Sequence, residues 1–511
     1  MKNKDSALTI APEVHLTLAL SLALSLLSGI LTGASMPTIL DWGLFGWVGV
    51  APLLLALHAQ PAKRHFLIAL PFGIVWSAMV HLWYPSMFGP GLGMFLIVAV
   101  GCFYAGLIQA GTALQARLPE PLKVLGVPIA WSALEFLRFI APVAGDWWFE
   151  VLGKSQWRFP PALQILTITG FPGLSFLVML VNSALALLVA DALKRRRTHV
   201  PAVVSLGAAA AIVAWGALIL PPAPDDRFRI MTTVDLANQD RSIQALSRLP
   251  VGQEGYYADT PEMSQALFDV NASLTRQVAG ASPAFVVWPE NEFADVDDPI
   301  FTSQVGNLAR ETNAYLVVDM VWRPSERLLH DTAVLFGPDG AEVGRRPKIN
   351  VTDGEKAFGF VAGPRDVRVF TTPYGVVGLG VCWDRHLPWI VRDLARGGAQ
   401  IVLMPVDDDF FGDRWFPPLH ASDTVFRAVE NRVAFGVGAT SGIAMVIDPY
   451  GHITAESDIN RREVIVGETF TVSERTIYTH VGDWFGWLMA LAMGAGFVGW
   501  RKSRDWSAAN E

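Results

Sequence analysis

Apolar residues come in long unbroken runs up to about residue 220 and in short ones beyond it. A helix needs about 20 residues, at about 1.5 Å each, to cross the ~30 Å hydrocarbon core of a bilayer. Stretches near that length cover residues 14–36, 43–59, 66–83, 92–114, 163–193 and 200–220, and one more stands alone at 484–500. Residues 124–140 are a weaker candidate, since that stretch carries Glu135 and Arg138. The pattern predicts about eight spans, seven before the polar region and one after it. Beyond Pro221-Pro222-Ala223-Pro224 the texture changes. Short apolar runs at 228–234, 284–288, 314–321, 333–336, 376–381, 401–405, 433–437 and 443–447 read as buried strands. Helical patterns fall between several of them, at 302–311, 388–396 and 421–431. Strands alternating with helices predict an α/β domain, and strands apolar throughout predict a sheet covered on both faces. The chain thus divides into a polytopic α-helical membrane domain at 1–220, an α/β domain at 221–482, and a last span with a tail at 483–511.

Charge gives this arrangement an orientation. Lys2 and Lys4 precede the first span, Lys63 and Arg64 follow the second, and Arg117 and Lys123 follow the fourth. Lys194, Arg195, Arg196 and Arg197 follow the sixth, and Arg501, Lys502 and Arg504 follow the last. All fall on one side, which is the cytoplasmic side by the positive-inside rule. The α/β domain is then delivered to the opposite face. A basic start with small residues near Ala34 and Ser35 also fits a cleaved signal peptide for the first span, which leaves the orientation of the rest unchanged. Hydrophobic residues make up 52% of the chain and charged ones 17%, which fits a chain partly in lipid. The net charge of -8 leaves no basic patch for nucleic acid. Few charges inside the spans argue against a transporter. Two cysteines, Cys102 and Cys382, exclude a disulfide framework and a cysteine-based zinc cluster.

Three segments carry candidate chemistry. Val286-Val287-Trp288-Pro289-Glu290 runs a strand into a carboxylate, at the kind of strand end where α/β domains gather reactive groups. Asp339-Gly340 and then Arg345-Arg346-Pro347-Lys348 lead from a turn to a lysine. Gly378-Leu379-Gly380-Val381-Cys382-Trp383-Asp384 ends a buried strand in a cysteine. Taken singly, Glu290 reads as a surface acid, Lys348 as a solvated lysine and Cys382 as a small buried filler. His386 and His420 have no ligand spacing around them, so neither a metal site nor a Cys–His pair is expected.

Taken together, the order and spacing of these segments resemble the carbon–nitrogen hydrolase (nitrilase) superfamily. The likeness continues through Asp407-Asp408-Asp409-Phe410-Phe411-Gly412, Arg427-Ala428-Val429-Glu430-Asn431-Arg432 and Asp448-Pro449-Tyr450-Gly451. Joined to a multi-span membrane domain, the whole resembles the bacterial apolipoprotein N-acyltransferase family. Trp131, Glu135 and Arg138, the loops at 145–148 and 153–156, and Thr476, Gly482, Asp483 and Trp484 agree with that family's other motifs.

The resemblance implies an αββα nitrilase-type sandwich and a Glu290–Lys348–Cys382 triad. Cys382 is then the nucleophile, Glu290 the base and Lys348 the charge beside the oxyanion, with the Trp383 backbone N–H as a second donor. Glu355, Trp383 and Asp384 fall at the family's supporting positions, and Trp415, Phe416, Phe358 and Phe360 are candidate lids over an acyl chain. The implied reaction takes an acyl chain from a phospholipid to the N-terminal amine of a diacylglyceryl-modified lipoprotein, at the periplasmic face of the inner membrane. No cofactor and no metal are implied. The chain departs from the family pattern in 349–355, at Asp384, at Asp407 and Phe410, at Asp235 and at Asp331. These leave two further readings open: a diverged paralogue acting as N-acyltransferase or amidase on another periplasmic substrate, and a non-catalytic membrane scaffold.

Overall fold

The computed structural model describes residues 16–508 apart from 39, 142–148, 195–198, 223, 249–257, 326–327 and 410–411. Lys2, Lys4, Arg195, Arg196, Arg197, the 145–148 loop, Phe410 and the side chains of Arg501, Lys502 and Arg504 therefore lie outside the described residues.

The N-terminal helices are inside-out relative to a water-soluble bundle. The helix Leu18–Ala34 buries Ser21, Ser25, Ser28 and Thr32, at spacings of three and four that put them on one face. Leu20, Leu26, Leu27 and Ile30 on the same helix are exposed. The buried hydroxyls tie helices together: Ser25 Oγ accepts from Phe72 N at 3.0 Å and Ser28 Oγ from Leu53 N at 2.8 Å. Small residues allow close approach, as in membrane bundles. A Cβ on Gly73 of His65–Val80 would sit 2.1 Å from the Gly101 carbonyl oxygen of Pro90–Gln115.

Among the described residues, Pro90–Gln115, Phe171–Leu193 and Val200–Leu218 are long and apolar enough to cross a membrane. Leu18–Ala34, Gly43–His58 and Trp484–Val498 are apolar but shorter. The described residues thus show three helices of full spanning length and three shorter apolar ones. Residues 43–59 break into a 3-10 turn, Gly43–Trp47, and an eight-residue helix, Ala51–His58. The 124–140 stretch gives the 14-residue helix Gly126–Phe139, about 21 Å long and short of the ~30 Å core. Pro119 and Pro121 precede it in a separate 3-10 segment region, and its Glu135 and Arg138 are buried within the protein.

The C-terminal half is built on strands β1 (Phe228–Val234), β2 (Phe285–Val287), β3 (Tyr315–Ser325), β4 (Leu328–Phe336), β5 (Glu342–Pro347), β6 (Val369–Thr372), β7 (Gly375–Leu379), β8 (Ile401–Val406), β9 (Ala434–Ala439), β10 (Met445–Ile447), β11 (Ile453–Glu456) and β12 (Glu463–Thr469). Their order is β5-β4-β3-β2-β1-β9-β8-β7-β6, with β12 antiparallel on β1 and β10 on β9. A single register pair, Val234↔Ala439, joins the two halves of this path. Side chains alternate across the pleat. Ile230, Phe285, Val287, Val317 and Leu335 share a core with Val377, Leu379 and Leu403 of the other half-sheet. Met231, Val286, Leu316, Val318 and Val334 instead pack with the helices Pro261–Gln277 and Pro299–Thr312. Helices Pro388–Arg396 and Phe416–Asn431 lie against β7–β9. The result is the helix–sheet–sheet–helix layering of the nitrilase fold.

Every strand anticipated from the apolar runs is present. The unanticipated β5, β6, β11 and β12 are half-exposed and carry polar residues such as Glu342, Arg345 and Glu463, so they lack an apolar run. The two halves of the chain meet through charge. Lys154 Nζ lies 2.7 Å from Asp423 Oδ1, both side chains buried, and Arg158 bridges Asp41 and Glu456 at the rim.

Candidate active site

Four strand ends converge. Glu290 follows β2, Lys348 follows β5 directly, Cys382 follows β7, and Asp407 follows β8 directly. Gly380 and Val381 carry the chain from β7 into Cys382, whose φ of 41° is in the left-handed region that disfavours a side chain. A short 3-10 turn, Cys382–Arg385, starts there and aims the sulfur back at the strand ends. Backbone strain held by its surroundings is a common mark of a reactive position.

Lys348 Nζ contacts Glu290 Oε1 at 2.5 Å, Asp331 Oδ2 at 3.1 Å, and also Glu355 Oε1. The main chain of one residue links the carboxylate to the thiol: Asp407 N donates to Glu290 Oε2 at 2.6 Å, and Cys382 Sγ donates to Asp407 O at 3.3 Å. All three sequence-predicted triad residues are therefore brought together, buried to 1–4% exposure. Burial, with carboxylates Asp331, Glu355 and Asp407 nearby, lifts Glu290 well above the usual carboxylate range, and Lys348 opposes the lift. Burial works against the Lys348 ammonium, but Glu290, Glu355 and Asp331 outweigh it and hold its proton well above the ordinary lysine value. Burial and Glu290 push the Cys382 thiol up, so the resting sulfur is protonated.

The supporting residues differ in what they do. Glu355 sits in a capping box with Thr352 at the start of Asp353–Ala357, which fixes its carboxylate against Lys348. Asp384 accepts from Ile349 N at 3.0 Å and Asn350 N at 2.8 Å, and pairs with Arg346. It therefore ties the lysine loop to the cysteine turn and has no described contact with the triad itself. Asp235 accepts from Asn271 and Asn291, holding the loop after Glu290. Sequence reasoning missed Asp407's part because it is played by main-chain atoms, for which any residue serves. It noted Asp331 only as a departure, and the structure puts it on the lysine.

The family described as Apolipoprotein N-acyltransferase N-terminal domain matches residues 28–184, and the family described as Carbon-nitrogen hydrolase matches residues 260–471. Over nearly their full lengths, two curated proteins align with the chain. The Apolipoprotein N-acyltransferase of Geobacter metallireducens is 29% identical, covering 92% of this chain and 93% of that protein. The chain is thus similar to apolipoprotein N-acyltransferases over nearly its whole length. That of Gloeobacter violaceus is 25% identical over 92% of each. A crystal structure of carbon-nitrogen hydrolase from Helicobacter pylori aligns at 18% identity and a TM-score of 0.38, covering 48% of this chain and 89% of its own.

Cys382 is followed directly by Trp383, which belongs to an aromatic cluster drawn from both halves. Trp383 packs on Phe149 at 5.2 Å, on Phe416 at 5.8 Å and on His420 at 5.0 Å, and Trp83 packs on Phe416 at 4.8 Å. Phe416 and Phe360, expected as lids, are buried packing residues, while Trp415 and Phe358 are partly exposed. No ligand spacing surrounds His420 in the sequence, but the fold brings other groups to it. Its ring, an Asp408 oxygen and Cys382 Sγ offer atoms all within 4.8 Å of one another. Helix Phe416–Asn431 and the loop after β8 bring them together across the fold, which sequence spacing does not reveal. Asp408 is already engaged, accepting from His420 Nδ1 and from Arg385, both at 2.6 Å. His386 pairs with Asp423 at 3.0 Å, next to Lys154.

Proposed function

We propose that the protein transfers an acyl chain from a phospholipid, through a thioester on Cys382, to the N-terminal amine of diacylglyceryl-cysteine lipoproteins. The observation that carries this reading is the Asp407 main chain standing between Glu290 and Cys382, its N–H on one and its C=O on the other, with Lys348 2.5 Å from the carboxylate. In the first half-reaction Glu290 takes the thiol proton as the sulfur attacks the ester carbonyl. Lys348 and the Trp383 N–H stabilise the oxyanion, where one donor is worth about 3–4 kcal/mol. The ester C–O bond breaks, and Glu290 hands its proton to the departing lysophospholipid oxygen. In the second half-reaction the amine attacks the thioester, the C–S bond breaks, and the sulfur regains a proton through Glu290. Splitting the transfer in two predicts ping-pong kinetics. A carboxyl held above its usual range by burial suits a group that both takes and returns protons near neutral pH. Glu355 orients Lys348, and Asp384 holds the two loops in register.

The same reading divides the chain at about 220 and 482 and makes the intervening domain extracytoplasmic, on a multi-pass protein of the bacterial inner membrane with about eight spans. The test is mass spectrometry of purified protein mixed with phospholipid in detergent, followed by a diacylglyceryl-cysteine peptide. An acyl adduct on Cys382 that is discharged to the peptide, and is absent in Cys382→Ala, is the expected result. No adduct, or an adduct discharged only to water, overturns it.

A further inference from the structure

Behind Lys348 lies a second group of acids that the steps above do not use. Glu290, Asp331 and Glu355 offer oxygens all within 4.8 Å of one another, and so do Glu292, Asp319 and Asp331. Asp331 belongs to both groups and joins them. The described salt bridges to these five carboxyls all run to one cation, Lys348. Glu292, Asp319 and Asp331 are at most 5% exposed. So many buried negative charges against one ammonium are too costly to leave fully ionised.

The hydrogen bonding points the same way independently. Asp319 Oδ2 accepts from Asn291 N and Glu292 N, at 3.1 and 2.8 Å, with Glu292 held at a φ of 36°. Asp319 Oδ1 and Asp331 Oδ1 are buried and no hydrogen-bond donor among the described residues reaches them, while Asp331 Oδ2 faces Lys348 Nζ at 3.1 Å. A proton shared between carboxyls is the donor that satisfies them. Burial first, and facing carboxylates second, raise Glu292 and Asp319 well above the usual range.

The second half-reaction has a use for such a place. An amine arriving as R–NH3+ loses two protons in becoming the amide R–NH–CO–R′. One returns to the sulfur as the C–S bond breaks, and the other is surplus. An amine arriving as R–NH2 loses one, and nothing is left over. The first half-reaction produces no surplus, because the thiol proton leaves on the lysophospholipid. We infer that Asp331, with Asp319 and Glu292 behind it, is a proton annex to Glu290 that accepts this surplus proton during transfer to a protonated amine. The inference rests on the acyl-transfer reading above. The groups facing Glu290 are Lys348, Asp331, Glu355, Asp407, Cys382 and Glu292. Asp331 is the member common to both groups.

Single-turnover measurements on full-length protein in detergent micelles separate the two halves. Lysophospholipid release without acceptor reads the first, and amide formation on adding a diacylglyceryl-cysteine peptide to the acylated protein reads the second. In Asp319→Asn the first half should stay within about threefold of wild type, and Asp331→Asn, whose side chain also touches Lys348, is read by the ratio of its two half-reactions. The second half should slow at least about tenfold near pH 6.5, and recover above about pH 9, where an α-amine is unprotonated. Equal loss in both halves, loss independent of pH, or no loss in either variant overturns the annex. Asp319→Asn leaves Lys348 untouched and carries the test if Asp331→Asn does not fold. Failure of wild-type Cys382 to acylate overturns instead the reading on which the annex rests.

Discussion

Acidification should loosen this protein through His420 before its paired carboxylates titrate. The ring is fully buried. Asp408, held as a carboxylate by Arg385 at 2.6 Å, accepts from Nδ1 at 2.6 Å and so fixes the neutral tautomer. Burial, reinforced by the Arg385 charge, pushes His420 down to about 4. An unfolded histidine titrates near 6.5. The unfolded chain therefore takes up a proton below about 6.5 that the folded chain refuses until about 4. The contribution is complete above about 6.5 and is lost as pH falls toward 4, a loss of about 3 kcal/mol for this one group. In a domain of this size that is on the order of 10 °C in melting temperature. The assay is thermal unfolding in detergent from pH 7.5 to 4.5, comparing wild type with His420→Gln. The difference between the two curves isolates the histidine from every other titrating group. Parallel curves refute the reasoning.

Breaking the buried Lys154–Asp423 pair with Lys154→Met should cost about 3–5 kcal/mol, because Asp423 then loses its nearest full cation and keeps the His386 contact; Lys154→Met with Asp423→Leu should recover most of it, both read from denaturant midpoints. Glu290→Gln should lower kcat/KM for acyl transfer by about 10²–10⁴. Because burial raises Glu290, wild-type activity should be present above its folded value and fall as pH drops through it, so the acidic limb of the pH–rate profile lies well above the usual carboxylate range. Gly73→Val puts a Cβ on the Gly101 carbonyl, a main-chain neighbour that cannot swing aside, and should cost about 3 kcal/mol or more in thermal unfolding.

What the sequence made legible follows from how each feature is encoded. Apolar strands such as β2 and β8 are readable because both faces are buried and every side chain is apolar. Glu290, Lys348 and Cys382 stand at strand ends in short motifs, so side-chain identity carries the signal. Span length was less legible, since hydropathy does not register the breaks that cut 43–59 and 124–140 into short helices. Lys154 reads as an ordinary loop lysine until Asp423, distant in the chain, is folded onto it. Glu292, Asp319 and Asp331 look like surface acids, and nothing local says that they are buried together.

The Asp407 carbonyl also bears on how the nucleophile survives between turnovers. Oxidants and alkylating agents attack the thiolate rather than the thiol. At rest the Cys382 sulfur is buried, protonated, and directed at an oxygen whose partial negative charge opposes loss of that proton. Ionisation is thereby tied to the arrival of an acyl ester. The sulfur should resist peroxide and iodoacetamide far better than an exposed cysteine.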